Sequence, residues 1–227
     1  MKHRTVRDVM TREVITAHRH TSFKSLAMLL ADAEVTAVPV VDPHNRPIGI
    51  VSEGDLLRKE AGQPEPGGRP AGIWVRPGDR ERAEAENAGD LMTTALITAR
   101  ASWSLVEAAR LMEHHHVKRL PVIDDAGILV GIVTRSDLLQ VFLRPDGAIH
   151  TEIVDDVLTD TLDLAAGTVH VEVREGVVTL RGQVERSSIA ALAVQLCRSV
   201  DGVVAVHDQL QGIFDDRRDE RPDRAPR

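Results

Sequence analysis

The feature that most constrains this chain is that it repeats itself. Placing Val9-Met10-Thr11 over Leu91-Met92-Thr93 sets an offset of 82 positions. The same offset carries Ile15-Thr16-Ala17 onto Ile97-Thr98-Ala99, and Val38-Pro39-Val40-Val41-Asp42 onto Leu120-Pro121-Val122-Ile123-Asp124. It carries Gly49-Ile50-Val51-Ser52 onto Gly131-Ile132-Val133-Thr134, and Asp55-Leu56-Leu57 onto Asp137-Leu138-Leu139. Five blocks hold register without an insertion over roughly 50 residues, which identifies a duplicated structural unit.

Each copy predicts the same elements. A short strand (Val14–Thr16, Leu96–Thr98) precedes a helix, with Leu26, Leu29 and Leu30 at helical spacing in one copy and Leu105, Ala108, Ala109 and Met112 in the other. A β-branched strand follows, with its proline at the start, where a strand tolerates one. Turns at Asp42-Pro43-His44-Asn45 and Asp124-Asp125-Ala126-Gly127 lead to a second strand, and a last helix begins at Ser52 or Thr134.

The remaining chain reads differently. Residues 60–88 are a Pro- and Gly-rich linker with a charged run at its end, where Gln63 to Gly72 read as flexible, Ile73-Trp74-Val75 as an anchor and 79–87 as a short helix. Residues 148–214 predict an α-β-β-α-β module. Ile149, Ile153, Val157, Leu158 and Leu162 form an amphipathic helix. Val169 to Val173 alternate at period two, and Glu175-Gly176 turns into Val177 to Gly182. A helix runs over Ser187 to Val200, and Val204 to His207 form a last strand. Gly182 and Gly202 mark positions of positive φ or close backbone approach. Residues 215–227 are expected to be a disordered tail.

Composition excludes whole classes. One cysteine, Cys197, makes no intrachain disulfide and no Cys-rich metal site. Two Trp, three Phe and no Tyr cannot build a base-stacking platform, and a net charge of −7 suits no phosphate backbone, so nucleic acid is not an expected partner. No stretch reaches the length of a membrane span, and no apolar leader follows the basic start, so the expected compartment is the cytoplasm. No phosphate-binding loop, dinucleotide glycine motif or nucleophile elbow is present, so no enzyme activity and no catalytic cofactor are expected. His114-His115-His116 do not converge on one helix face, so no metal is expected. Cys197 on an apolar face reads as a buried, inert thiol.

The duplicated unit resembles the CBS domain, and the tandem resembles a Bateman module. The Met-Thr pair, the hydrophobic-Pro-Val-hydrophobic-Asp block and Gly-Ile-Val-[Ser/Thr]-x-x-Asp carry the resemblance over residues 5–59 and 88–144. It implies a mixed α+β, α/β fold, with repeats at 1–59 and 89–145 as two β-α-β-β-α units about a pseudo-twofold axis and two clefts between them. It also implies a regulatory adenine nucleotide as ligand: AMP, ADP, ATP or an S-adenosylmethionine-like compound.

By the same resemblance, Asp55 and Asp137 grip the ribose, and Ser52 and Thr134 supply hydroxyls beside it. Val38-Pro39 and Leu120-Pro121 hold the adenine, with Thr16-Ala17 and Thr98-Ala99 as the opposite wall. Two carboxylate oxygens accept well from a diol, although Ser-x-x-Asp is also a helix capping box. The second copy carries Lys118, Arg119 and Arg135 around its blocks and Arg100 after Thr98, where the first has Thr36, Ala37, Glu53 and His18. Phosphates favour the basic set, so the second copy is expected to form the tighter site.

Residues 148–214 resemble a BON domain through Val169-x-Val171-x-Val173, Gly176-Val177-Val178-Thr179-Leu180-Arg181-Gly182 and Val200-Asp201-Gly202-Val203-x-x-Val206. That family is associated with phospholipid and envelopes. Here four Arg against ten Asp and Glu over residues 150–214 leave the module at −6, which disfavours an anionic membrane and favours a protein partner. The resemblance further implies a homodimer through the CBS repeats, with the apolar helices at Leu26–Leu30 and Leu105–Met112 as its surface. The expected role is a sensor relaying nucleotide state to an unknown protein partner. The other reading is a nucleotide-free scaffold, or an envelope- or stress-associated protein acting through the BON domain.

Overall fold

A computed structural model describes residues 4–61 and 85–216. The linker readings between 62 and 84 and the tail from 217 onward lie outside the described residues. The chain forms two compact units: residues 5–135, and residues 136–216 together with Arg4.

In the first unit the duplication is visible bond by bond. Each repeat builds one three-stranded sheet. The first is β1 (Ala17–His18), β2 (Ala37–Val41) and β3 (Pro47–Ser52); the second is β4 (Ala99–Arg100), β5 (Arg119–Ile123) and β6 (Leu129–Thr134). In each, the first strand runs parallel and the third antiparallel to the central one. Ala17 pairs with Val40 as Ala99 pairs with Val122, and both hairpins slip register after Val40 and Val122. The first strands start about three residues later than the apolar spacing predicts. Val14–Thr16 and Leu96–Thr98 run up to the sheet without joining its ladder.

The turns have the chemistry read for them. Asp42 Oδ1 accepts from the N–H groups of His44 and Arg46, both at 2.8 Å, and Asp124 Oδ1 from those of Ala126 at 2.9 Å and Ile128 at 2.8 Å. Asn45 and Gly127, again 82 apart, both sit at positive φ. These bonds, that of Arg46 first, hold the Asp42 carboxyl below its ordinary range.

Helix α2 (Phe23–Asp32) starts on Ser22, which accepts from Ser25 N–H. Its Leu26 and Leu30 point into the first core with Val38, Val40 and Val51. Helix α5 (Leu105–His114) starts on a full Ser104–Glu107 capping box and buries Leu105, Ala108 and Met112. The leucines read as a dimer face are therefore core residues, each stabilising its repeat by roughly 1.5–3 kcal/mol. The large apolar side chains these helices leave exposed are Met28 and Val106.

The two repeats exchange their leading segments. Helix α1 (Val6–Val9) donates from Val6 to the Trp103 carbonyl at 2.8 Å and from Arg7 to that of Ala101 at 2.9 Å. Its counterpart α4 (Ala88–Leu91) donates from Ala88 to Thr21 and from Gly89 to Arg19, the same bonds 82 positions apart. Thr11 bridges to Ile132, and Thr93 to Ile50. Met10 lies on Gly131 and Met92 on Gly49, where an added Cβ would stand 2.6 and 2.4 Å from the methionine sulfurs. Glycine is needed at both because another segment occupies the side-chain space. Leu91 and Met92 belong to the first repeat's core. This reciprocity is the pseudo-twofold relation.

The second unit opens with α6 (Arg135–Leu139), whose residues from Ser136 onward belong to it, and a 3-10 turn (Gln140–Leu143). The order α-β-β-α-β follows: α7 (Asp146–Glu152), β7 (Val169–Arg174), β8 (Val177–Arg186), α8 (Ser187–Arg198) and β9 (Ala205–Phe214). β8 is central, antiparallel to β7 and parallel to β9. Two details depart from the sequence reading. The amphipathic helix continues beyond α7 as a π-helix over Ile153–Thr161, with Thr159 and Thr161 hydroxyls on carbonyls five residues back. The last strand runs ten residues, because β8 offers a partner along its whole length.

The core gathers Ile149, Ile153 and Val157 with the inward face of the sheet and Ala190, Ala193, Val194 and Cys197 of α8. Gly182 has φ 145° inside β8, where a Cβ would meet the Thr168 carbonyl at 2.3 Å; Gly202 has φ 90°.

Candidate functional site

The β3–α3 junction builds the centre of the site. Ser52 ends β3 and α3 (Glu53–Ala61) begins at once, so Asp55 lies in its first turn. Asp55 is 2% exposed. Its Oδ2 accepts from the Ser52 N–H at 2.8 Å and the Ser52 hydroxyl at 2.7 Å. Its Oδ1 faces the Arg58 guanidinium in an ion pair one helical turn on. A buried carboxylate is costly unless paired and hydrogen-bonded, and this one is both.

Asp55 opens onto a cavity of about 390 Å³, a size typical of small-molecule sites. Both repeats line it. Thr36, Ala37 and Ile50 come from the first; the extended segment with Leu96 and Ile97 and the start of β5 come from the second. The exchange of leading segments causes this, since Thr93 is pinned to Ile50. Lys118 and Arg119 stand on the wall, and Arg119 donates to the Thr36 hydroxyl at 2.7 Å. Burial lowers the Arg119 pKa from its ordinary value, and Glu53 opposes that shift.

Of the residues named from the sequence, Ser52, Asp55, Lys118, Arg119 and Pro121 line this cavity. Val38, Pro39, Ala17, Ala99 and Leu120 are buried in their sheets; Thr16 and Thr98 are half-buried just before β1 and β4. Thr134 ends β6, and Arg135 and Asp137 lie on α6. Arg135 Nε donates to the Val117 carbonyl at 3.1 Å. Arg100 is held at the second repeat's turn by the Asp124 carbonyl and by Asp125 at 3.0 Å.

Lys118 and Arg119, expected around the second copy's site, line the same cavity as Asp55 of the first, because both repeats contribute to it. Reading each copy separately also missed Arg58, Thr36 and the 93–97 segment. Arg58 carried a signal: it stands i+3 from Asp55, on the same helix face.

The lining suits one chemistry. A buried carboxylate accepts from a diol, three cations meet an anion, and Ile50, Leu96, Ile97 and Pro121 offer aliphatic walls to a flat ring. Among the described residues no aromatic side chain lines the cavity. Among the described residues no three His, Cys, Asp or Glu side chains are placed to hold a metal. His114 and His115 only meet edge to face, at 4.8 Å. Burial pushes the Cys197 thiol up to about 12.

Comparison with known proteins gives the family. The CBS domain profile matches residues 6–62 and 88–144, together half of the chain. The chain belongs to the CBS-domain family. A BON domain profile matches residues 146–212 behind the CBS pair. Among curated relatives, an uncharacterized protein of Methanopyrus kandleri is 32% identical over 141 residues, 62% of this chain and 64% of that one. The chloroplastic CBS domain-containing protein CBSX2 of Arabidopsis thaliana is 31% identical over 152 residues, again 62% and 64%. The chain thus spans just under two thirds of each.

Among solved structures, CBSX2 in complex with AMP is similar to the CBS pair at 30% identity, with a TM-score of 0.50, covering 62% of this chain and 96% of that one. The CBS domain pair of MJ0100 in complex with 5′-methylthioadenosine and S-adenosyl-L-methionine is 25% identical, with a TM-score of 0.50, covering 62% and 97%.

Proposed function

We propose that this protein is a regulatory sensor: it holds an adenosine-containing nucleotide in the CBS pair and relays that state to a protein partner, with the BON domain as the relaying surface. The observation that carries the reading is the buried Asp55 carboxylate opening onto a composite cavity with Arg58, Lys118 and Arg119. The similar CBS pairs crystallised with AMP and with 5′-methylthioadenosine and S-adenosyl-L-methionine support the ligand class.

Asp55 accepts from the ribose hydroxyls, the cations meet phosphate, and the base lies between aliphatic walls. Thr134, Arg135 and Asp137 are the corresponding set of the second repeat. The nucleotide is a regulatory ligand and no reaction is assigned to it.

The completeness of the Asp55–Ser52–Arg58 network favours a second reading, in which the CBS pair is a scaffold whose carboxylate is permanently satisfied from within. A thermal-shift panel of AMP, ADP, ATP, S-adenosylmethionine and 5′-methylthioadenosine separates the two. A compound at 100 times its Kd stabilises the protein by about 2.7 kcal/mol. A flat response to all of them would leave the scaffold.

A further inference from the structure

Three of the roughly four acceptor positions of Asp55 are filled from inside the chain. Oδ2 takes two hydrogen bonds from Ser52, and Oδ1 takes the Arg58 guanidinium. A carboxylate offers about four acceptor positions, so a diol that needs two of them cannot be gripped until Arg58 withdraws. Arg58 is placed to withdraw: its side chain is 43% exposed and has solvent to turn into, while Asp55 stays buried. Its Nε is buried and has no hydrogen-bond partner among the described residues, so the guanidinium has donor capacity that Asp55 does not use. Lys118 and Arg119 line the same cavity, where an anion would sit. The matching position of the second repeat, 82 residues on, is Gln140, which has no charge to contribute.

We infer that Arg58 is an internal competitor for Asp55 that makes the first cavity selective for phosphorylated ribonucleosides over uncharged ones. The inference rests on the adenosine-nucleotide reading above and deepens it. A neutral nucleoside must break the Asp55–Arg58 pair and leaves the guanidinium without an anion. A nucleotide exchanges partners: the diol takes Asp55, and the phosphate takes Arg58 alongside Lys118 and Arg119. Arg58 thereby couples the two ends of the ligand, and the second repeat carries an uncharged glutamine at the matching position.

The test is calorimetric titration of the full chain with AMP and with adenosine, in an Asp137→Ala background so that the first cavity alone is read. With Arg58 present, AMP binds tighter than adenosine by about tenfold or more, the scale of one charge-assisted contact. Arg58→Gln brings the two Kd values within about threefold of each other, by weakening AMP while adenosine holds or tightens. Arg58→Lys, which keeps the charge and loses the fork, falls between, and it carries the comparison if the Gln variant does not fold. An unchanged AMP-to-adenosine ratio in either variant, or equal losses for both ligands, overturns the Arg58 inference and leaves the nucleotide reading standing. No binding of either ligand with Asp55 and Arg58 intact overturns the Arg58 inference, and a flat response of the unaltered chain to the whole thermal-shift panel overturns the nucleotide reading as well.

Discussion

Asp55 and Cys197 are both buried, and they are buried for opposite reasons. Asp55 is a charge kept in the interior by three donors. Its removal strands the Ser52 N–H and frees Arg58, so Asp55→Ala should cost about 1–3 kcal/mol in denaturant unfolding, and Asp55→Asn less. Cys197 is fully buried among Ala190, Ala193 and Val194. With its thiol held near 12, it should resist iodoacetamide at pH 8 in the folded protein and react once unfolded. The sign for stability follows. The unfolded thiol ionises near its ordinary value of about 8.5 while the folded one does not, so its contribution is complete below that pH. It is lost as pH rises toward 12. Glu107 has the reverse sign. Bonds from the Ser104 backbone first, then its hydroxyl, lower the carboxyl, so the cap's contribution is present above the ordinary carboxylate range and lost as pH falls through the lowered value. At this scale Asp55 and Cys197 were readable, because a Ser-x-x-Asp start and an apolar helix face are local patterns. Arg58 was readable only once its i+3 spacing was taken with a buried partner.

Elements are where local pattern runs out. Helices α2, α3, α5 and α8, both CBS hairpins and their Asp-led turns followed from spacing and turn chemistry, since neighbours in sequence determine them. The exchange of α1 and α4 between repeats did not, because long-range pairing leaves no periodicity. Its trace in the sequence is two Met and two Gly residues that each repeat 82 apart, and only a three-dimensional frame gives them meaning. Gly49→Ala tests the exchange. The new Cβ meets Met92 within 3 Å at three atoms. Overpacking of this kind typically costs about 1–3 kcal/mol. Met92→Ala in the same chain should recover part of that loss, and a double-mutant cycle read by denaturant unfolding should show coupling. Additive losses would mean that the two residues do not share space. The π-helix and the ten-residue β9 were also beyond local reading: each depends on what packs beside it.

For the whole molecule, charge and covering separate the two units. The module over residues 150–214 carries −6 of the chain's −7, and no helix among the described residues is long and apolar enough to cross a membrane. The full chain should therefore remain in the supernatant with phosphatidylserine vesicles at about 0.1 M salt, where screening extends to roughly 10 Å. Co-sedimentation would redirect the BON domain from protein to lipid. The CBS pair is the proposed dimer element, with exposed Leu57 and Met28 rather than the buried Leu26 and Leu30 available for contact. Light scattering should then give twice the chain mass, and Leu57→Lys should shift it toward the monomer. Both expectations are subordinate to the central one, that the CBS pair binds an adenosine nucleotide through its paired carboxylates. Titration of the full chain with AMP tests that most directly: the wild type should give a saturable isotherm that the Asp55→Ala, Asp137→Ala double variant, still folded, loses. An unchanged isotherm in that variant, or none in the wild type, would contradict the account.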